Sequence, residues 1–179
     1  MIITKDVTER EEVYRNTKKE AKTDGLTGLY NRNYLNQILE DIQEEQKSFS
    51  AFMIDINGLK YINDNFGHNA GDETIKKAAQ IIMESVRTTD YVFRYGGDEF
   101  LVLLDTDNLG TLEAISKRIK SRNSRLIKGA PVLNLSIGYA SSLETSLDEV
   151  IDLADKRMYE DKQLFYQNEG KFIKRLEDN

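Results

Sequence analysis

Hydrophobic and polar positions along this chain alternate between two periods. Leu35, Ile38, Leu39 and Ile42 fall at i, i+3, i+4 and i+7, which predicts an amphipathic helix, and Asn31 stands where its N-cap belongs. Ser48 to Ile56 reads as a strand, apolar enough through Phe52-Met-Ile54 to lie inside a sheet. Ile75, Ala78, Ala79, Ile82 and Val86 mark a long helix with Asp72 at its start, where an N-cap is the plain role, and Arg87 at its end. Tyr91 to Leu104 is two β-favouring runs around Gly96-Gly-Asp-Glu99, a hairpin. Leu112, Ile115 and Ile119 give a further helix, and Val132 to Ala140 alternates as a half-buried strand does. Ser146 and Glu149 form a capping box for a helix carrying Leu147, Val150, Ile151, Ala154 and Met158, and Lys171-Phe-Ile173 reads as an edge strand in a polar tail. Asn57 to Lys60 and Asn63 to Asn69 read as turns. Strands and helices alternate through one α/β domain.

Residues 1–23 form a separate unit in this reading: Thr8 and Glu11 make a capping box, and the charged helix that follows has few apolar positions. Such a helix buries too little to stand alone: it either packs on a partner copy or a neighbouring domain, or is a frayed terminal helix. The catalytic-type pattern occupies residues 24–179.

Composition narrows the chemistry. The 179 residues carry a formal net charge of -6, so no basic stripe is available for a nucleic-acid backbone. A nucleotide is compatible, because bound Mg²⁺ and a few lysines hold a triphosphate on an acidic protein. There is no cysteine and one histidine, His68, so a metal would be held by oxygen or by that single histidine. No apolar run is long enough to cross a bilayer, which with a mean hydropathy of -0.57 favours the cytosol, the parent protein being either soluble or membrane-anchored. Walker-type Gly-rich loops and Ser-His-acid arrangements are missing.

What remains is Asp55 at a strand end and Asp98 with Glu99 at a hairpin tip. Taken alone, Gly96-Gly97-Asp98-Glu99 is more readily a solvated turn than a site, although its glycines are free to take positive φ and to let a bulky ligand approach the backbone. If the two elements are neighbours in one sheet, the carboxylates converge and suit metal-assisted phosphoryl or nucleotidyl transfer.

Arg94-Tyr-Gly-Gly-Asp-Glu-Phe100 resembles the signature of GGDEF domains, the bacterial diguanylate cyclases. The resemblance also covers Asp24-Gly-Leu-Thr-Gly-Leu-Tyr-Asn-Arg32, Asp55-Ile-Asn-Gly-Leu-Lys60, Asn63 through Asp72, Leu135-Ser-Ile-Gly-Tyr-Ala140 and Ala154 through Lys162, in the family's order. It implies an α+β fold related to class III nucleotide cyclases and polymerase palms, with a ferredoxin-like core: a central, mostly antiparallel sheet wrapped by helices. It implies a homodimer that condenses two GTP into cyclic di-GMP and two pyrophosphates. Asp55, the Ile56 carbonyl and Asp98 would bind Mg²⁺ (or Mn²⁺), with Glu99 as ligand or proton acceptor.

The resemblance further implies that Asn63 and Asp72 read guanine, that Lys60 and Lys162 contact phosphate, and that Gly96 and Gly97 line the substrate. His68 either lines the base pocket or stabilises the Gly67 turn. Arg87 and Asp90 match an inhibitory site for the product. The chain departs from the family after Lys162, where Phe165-Tyr166-Gln167 replaces a common Gly-Arg-Asn, and at Asn57, where many relatives carry an aspartate. A module that binds GTP or cyclic di-GMP and signals to a partner without turnover is the other reading these departures leave open. The segment Thr4 to Glu11 resembles the exit of PAS sensor domains, which would make this chain the C-terminal part of a longer signalling protein.

Overall fold

The computed structural model describes residues 22–45, 47–122 and 132–177, with side chains through residue 168. The N-terminal helix and the PAS-like segment therefore lie outside the described residues. Within them the order is β1 (Tyr30–Asn31), α1 (Arg32–Glu44), β2 (Ser50–Ile56), α2 (Leu59–Phe66), α3 (His68–Met83), β3 (Tyr91–Arg94), β4 (Glu99–Leu104), α4 (Leu109–Ser121), β5 (Leu135–Ser141), a 3₁₀ turn (Leu147–Glu149) and α5 (Val150–Glu177). The sheet runs β1-β3-β4-β2-β5. Only the short β1–β3 pair is parallel, so the sheet is mostly antiparallel, as the family resemblance implies.

All seven residues of β2 are buried, which follows from its place between β4 and β5 with helices on both faces. The pleat sorts them. Phe52, Ile54 and Ile56 join Phe100 and Val102 in a core closed by Ile75, Ala78, Ala79 and Ile82 of α3 and by Leu112, Ile115 and Ile119 of α4. Ala51 and Met53 face the other way with Leu101 and Leu103, against Leu35 and Ile38 of α1 and Val150, Ala154 and Met158 of α5. The fully buried Phe52, Phe93 and Phe100 each contribute up to about 3 kcal/mol of burial.

Helix α5 lies unusually near the sheet. A Cβ at Gly138 of β5 would stand 2.1 Å from both the Ala154 carbonyl oxygen and the Met158 nitrogen. Only a residue without a side chain permits this crossing. It fixes the height of α5 over the sheet and therefore where Lys162, one turn beyond Met158, arrives.

Several local expectations change. Asn31 caps α1 as expected, its Oδ1 accepting from the Tyr34 N–H at 3.0 Å. Leu59 to Phe66, read as turns, is the helix α2; Asn and Asp are poor helix formers, but burying Leu59 and Ile62 overrides that preference. Helix α3 accordingly starts at His68, after Gly67 at φ 85°, so Asp72 is a turn inside the helix and is not its cap. It ends at Met83, short of Arg87, which lies in the connection to β3. Glu149 does hydrogen-bond back to the Ser146 backbone, but the Ser146 hydroxyl does not cap the turn. The stretch from Lys171 to Ile173 is not an edge strand but the continuation of α5, a run with no proline in which helix formers such as Leu164, Lys174 and Leu176 recur. No helix among the described residues is long and apolar enough to cross a membrane.

Gly138→Ala is expected to lower unfolding stability by about 3 kcal/mol, the upper end of overpacking costs, because the atoms it meets are backbone and cannot turn aside. Gly25→Ala, where an added Cβ meets nothing within 4 Å, should stay within about 0.5 kcal/mol of the parent. Urea midpoints for the two variants compare them directly.

Candidate active site

The sheet geometry decides where the acids go. In the β2–β4 ladder Asp55 stands directly opposite Glu99, so both side chains leave the same face. By parity that is the face of Ala51, Met53, Leu101 and Leu103, the one covered by α5. The Ile56 N–H donates to the Asp98 carbonyl at 3.1 Å, carrying the ladder one step into the hairpin tip. The two elements that sequence alone left as possible neighbours are adjacent strands.

Asp55 is 2% exposed. Its Oδ2 accepts from the Lys162 Nζ at 2.7 Å, and its Oδ1 is the one buried side-chain polar atom without a partner among the described residues. Burial pushes the Asp55 carboxyl up to about 6, against the pull of Lys162 and with the help of the Asp98 and Glu99 charges. For Lys162 burial acts downward, and the Asp55 hydrogen bond and charge outweigh it, so the ammonium is held above its usual range. An orphaned carboxylate oxygen beside two further acids is a donor set for a hard cation. Among the described residues no three acidic or histidine side chains converge into a finished metal cluster. That fits Mg²⁺, which takes one or two carboxylates and completes its shell with water and substrate oxygens.

The hairpin tip keeps its four residues but lies one position earlier than expected: Tyr95 to Asp98 connect the strands, and Glu99 already belongs to β4. The Tyr95 and Gly96 N–H groups both donate to the Glu99 carbonyl, at 2.8 and 3.2 Å. Neither Gly96 nor Gly97 takes positive φ, so left-handed backbone does not explain the pair. Space does at Gly96, where a Cβ would stand 2.6 Å from the Glu99 Oε2.

Asn63 on α2 packs against Gly71 of α3, the chain neighbour of Asp72. A Cβ at Gly71 would lie 1.9 Å from the Asn63 Oδ1, so the missing side chain beside Asp72 is what lets Asn63 lie there. Asp72 is half-buried, whereas His68 and Lys60 are exposed on α3 and α2. Arg87 and Asp90 lie at the opposite end of the hairpin. There the Asp90 Oδ2 accepts from the Arg87 N–H at 2.7 Å, and both residues line a cavity of about 560 Å³ closed by Ser85, Thr106 and Arg118.

Sequence reasoning assigned no role to three residues that shape the site. Arg94 donates to both Asp24 carboxylate oxygens at 3.1 Å and to the Gly97 carbonyl at 2.8 Å, tying the tip to the connector before β1. Burial raises the Asp24 pKa, but hydrogen bonds from Thr27 and Arg94 win and leave it below the ordinary carboxylate value. Tyr166, seen in the sequence only as a departure, accepts from the Gly58 N–H at 3.2 Å. The presence of Asp24 and Arg94 inside two separate motifs was the available signal for the first pair.

The sequence profile of the diguanylate cyclase GGDEF domain matches residues 21–166. This chain belongs to the GGDEF family. It is 37% identical over 153 residues to the diguanylate cyclase DosC of Escherichia coli K12, covering 80% of this chain and 33% of that one. To the diguanylate cyclase DgcS of Shewanella oneidensis it is 35% identical over 155 residues, covering 83% of this chain and 52% of that one. It thus spans between a third and about half of the length of these relatives. Among solved structures, the coiled coil and GGDEF domain of DgcB from Caulobacter crescentus, in complex with c-di-GMP, superposes with a TM-score of 0.77 at 26% identity, covering 89% of this chain and 90% of that one. The isolated GGDEF domain of PA1120 from Pseudomonas aeruginosa gives 0.68 at 33% identity, covering 79% and 89%. The palm-like fold of GGDEF domains is therefore the fold of this one.

Asp55 ionises more readily unfolded, at the ordinary 3.8, than folded, at about 6, so its contribution to stability falls as pH rises between about 4 and 6. Lys162→Met removes the only cation bonded to it among the described residues and should deepen that fall. In EDTA the variant is expected to lose about 2 to 3 kcal/mol at pH 8, less than a fully buried pair because Lys162 keeps a path to water, and much less at pH 5. Chemical denaturation at the two pH values reads the difference.

Proposed function

We propose that this domain is a diguanylate cyclase: two copies face one another, each holding one GTP, and release cyclic di-GMP and two pyrophosphates. The observation that carries the reading is the register of Asp55 against Glu99, with the Asp98 carbonyl on the Ile56 N–H, in a chain that matches the GGDEF profile over residues 21–166.

Asp55, Asp98 and the Ile56 carbonyl would hold Mg²⁺ (Mn²⁺ has the same oxygen preference), with Glu99 beside them. Bound there, the cation would polarise the α-phosphate and lower the pKa of the attacking hydroxyl. In each half-reaction a ribose 3′-oxygen forms a bond to the α-phosphorus of the other GTP, the bond to the β-phosphate bridging oxygen breaks, and pyrophosphate leaves. The hydroxyl proton passes to Glu99 or, where Glu99 is a ligand, to water. Lys162, bonded to Asp55, offers its charge to the phosphates, and Lys60 adds a second cation from the exposed first turn of α2.

Asp72 and Asn63 would read the base. A carboxylate accepts from guanine N1–H and N2–H₂, a donor pair adenine does not present, and would be left unpaired against ATP. His68 would line the rim of that pocket. Gly96 and Gly97 keep the tip narrow enough for the nucleotide to pass. At the far end, Arg87 and Asp90 would grip the product's guanine and phosphates and give feedback inhibition.

One observation favours the second reading, a GTP- or cyclic di-GMP-binding module without turnover: the Lys162 ammonium occupies one oxygen of Asp55, the acid that would hold the cation. Fusing a coiled coil ahead of Asp24 to force dimerisation, then supplying GTP or ATP with Mg²⁺, separates the two. Cyclic di-GMP from GTP, none from ATP, and a loss of about a hundredfold or more in Asp98→Ala and Glu99→Ala support the cyclase. Binding of GTP by the fused dimer with no product by mass would leave the second reading.

The inhibitory proposal has its own test. Arg87→Ala should weaken cyclic di-GMP binding by about tenfold, the effect of losing one charged hydrogen-bonding partner. Unchanged affinity in calorimetry would remove it.

A further inference from the structure

Asn57 stands directly after β2, two residues beyond Asp55, and has no part in the reaction just described. At 7% exposure it is buried, and its side chain is held at both ends. The Oδ1 accepts from the Ser136 hydroxyl at 3.0 Å, and the Nδ2 donates to the Asn134 Oδ1 at 3.3 Å. The Asn57 N–H donates to the Asn134 carbonyl at 3.0 Å. Ser136 is fully buried and stands opposite Asp55 in the β2–β5 ladder, as Glu99 does in the β2–β4 ladder. An amide accepts on one atom and donates from the other, so Asn57 joins Ser136 to Asn134 without adding a charge beside Asp55.

These bonds bear on one peptide. The unit between Ile56 and Asn57 is planar and trans, so its N–H and C=O point to opposite sides of the strand. With the N–H directed at Asn134, on the β5 side, the Ile56 carbonyl is turned toward the β4 side, where the hairpin tip carries Asp98. The ladder is one-sided there. The Ile56 N–H donates to the Asp98 carbonyl at 3.1 Å, but the return bond from the Asp98 N–H to the Ile56 carbonyl is not made. Residues paired in this way across antiparallel strands ordinarily exchange both bonds. Strand pairing also ends at this point, and Gly58, at φ 74°, turns the chain away. The Asn57 side chain takes over the hold that the ladder gives up.

We propose that Asn57 is a positioning residue for the divalent cation: anchored to Ser136 and Asn134, it holds the Ile56–Asn57 peptide so that the Ile56 carbonyl stays aimed at the cation that Asp55 and Asp98 would hold. The proposal rests on the cyclase reading, which puts the cation there. A carbonyl carries no net charge, so its worth as a ligand depends on direction, and a direction fixed beforehand leaves little freedom to be lost when the ion arrives. The anchoring is buried and every polar atom of the Asn57 side chain is satisfied, which makes it rigid. It is also neutral, so it orients a ligand without crowding a further acid against Asp55, Asp98 and Glu99. Groups that stand behind a metal's ligands in this way commonly govern roughly ten- to a hundredfold of its affinity.

Asn57→Ala removes both side-chain bonds. Ser136→Ala removes one of them by trimming a single oxygen, and keeps the test open if Asn57→Ala folds poorly. Binding of Mn²⁺ to the full chain is read from the paramagnetic resonance signal of the free ion, with Asp55→Asn marking the binding that belongs to this site, and urea midpoints in EDTA read stability. Asn57→Ala is expected to bind Mn²⁺ about tenfold more weakly and Ser136→Ala to lose less in the same direction. The double variant should lose no more than Asn57→Ala, because both changes act through one amide. In the fused dimer the Mg²⁺ concentration for half-maximal synthesis should rise by the same factor. Lowered urea midpoints with unchanged Mn²⁺ affinity would mean that the network only secures the end of β2, and would overturn the proposal. So would additive losses, which would have Ser136 act on the cation without Asn57. A parent that binds Mn²⁺ no better than Asp55→Asn, and whose synthesis does not respond to Mg²⁺, overturns the cation of the cyclase reading as well; a parent that binds Mn²⁺ through Asp55, matched by Asn57→Ala, overturns the Asn57 assignment alone.

Discussion

A carboxylate buried to 2% exposure is the constraint around which this domain is arranged. Leaving water costs an ionised group several kcal/mol, and the neighbouring acids at 98 and 99 raise the cost for Asp55. The fold meets it with one ammonium on one oxygen and leaves the other oxygen bare. A purely structural acid would have both oxygens satisfied. An acid kept half-satisfied at the end of a central strand is one that a divalent cation can complete.

The supply of that ammonium explains the unusual crossing of α5. Gly138 lets the helix backbone settle onto β5 between Ala154 and Met158, and each further turn then meets the end of β2 or the turn after it: Lys162 bonds to Asp55, and Tyr166 accepts from the Gly58 N–H. Two outer contacts hold the same helix. Arg157 pairs with Glu144 and donates to the Tyr139 carbonyl, and Asp161 accepts from Lys120 and from the Ile137 N–H. These half-exposed pairs each contribute little in water, but they keep α5 from sliding along the sheet. A sliding helix would move the lysine off the acid before it lost much burial.

The hairpin joins the two proposed nucleotide sites. At one end Glu99 faces Asp55 and the tip is tied back through Arg94 to Asp24. At the other end the Arg87–Asp90 turn closes on itself, and Arg118 of α4 holds the preceding connection through the Ser85 carbonyl. Between them Val92, Phe93 and Leu101 to Leu103 are buried, so the strands are gripped along their whole length.

The hydrophobic periodicity by itself determined the β2 strand, its place inside the sheet, and the apolar faces of α1, α3 and α4, because burial is written in spacing. Asp55, Asp98 and Glu99 were legible as a set of acids at element ends. Helix α2 was hidden because its Asn and Asp residues carry local turn preferences that only the burial of Leu59 and Ile62 overrides. The run of α5 past Tyr166 was hidden too, since a polar helix has no periodic signature. Tertiary structure alone decided that residue 55 pairs with residue 99, that Gly96 yields space to the Glu99 carboxylate, and that Gly138 seats the helix bearing Lys162 and Tyr166. The reason is physical: strand register and close backbone approach are relations between distant segments, and a linear pattern of polar and apolar residues encodes faces but not partners.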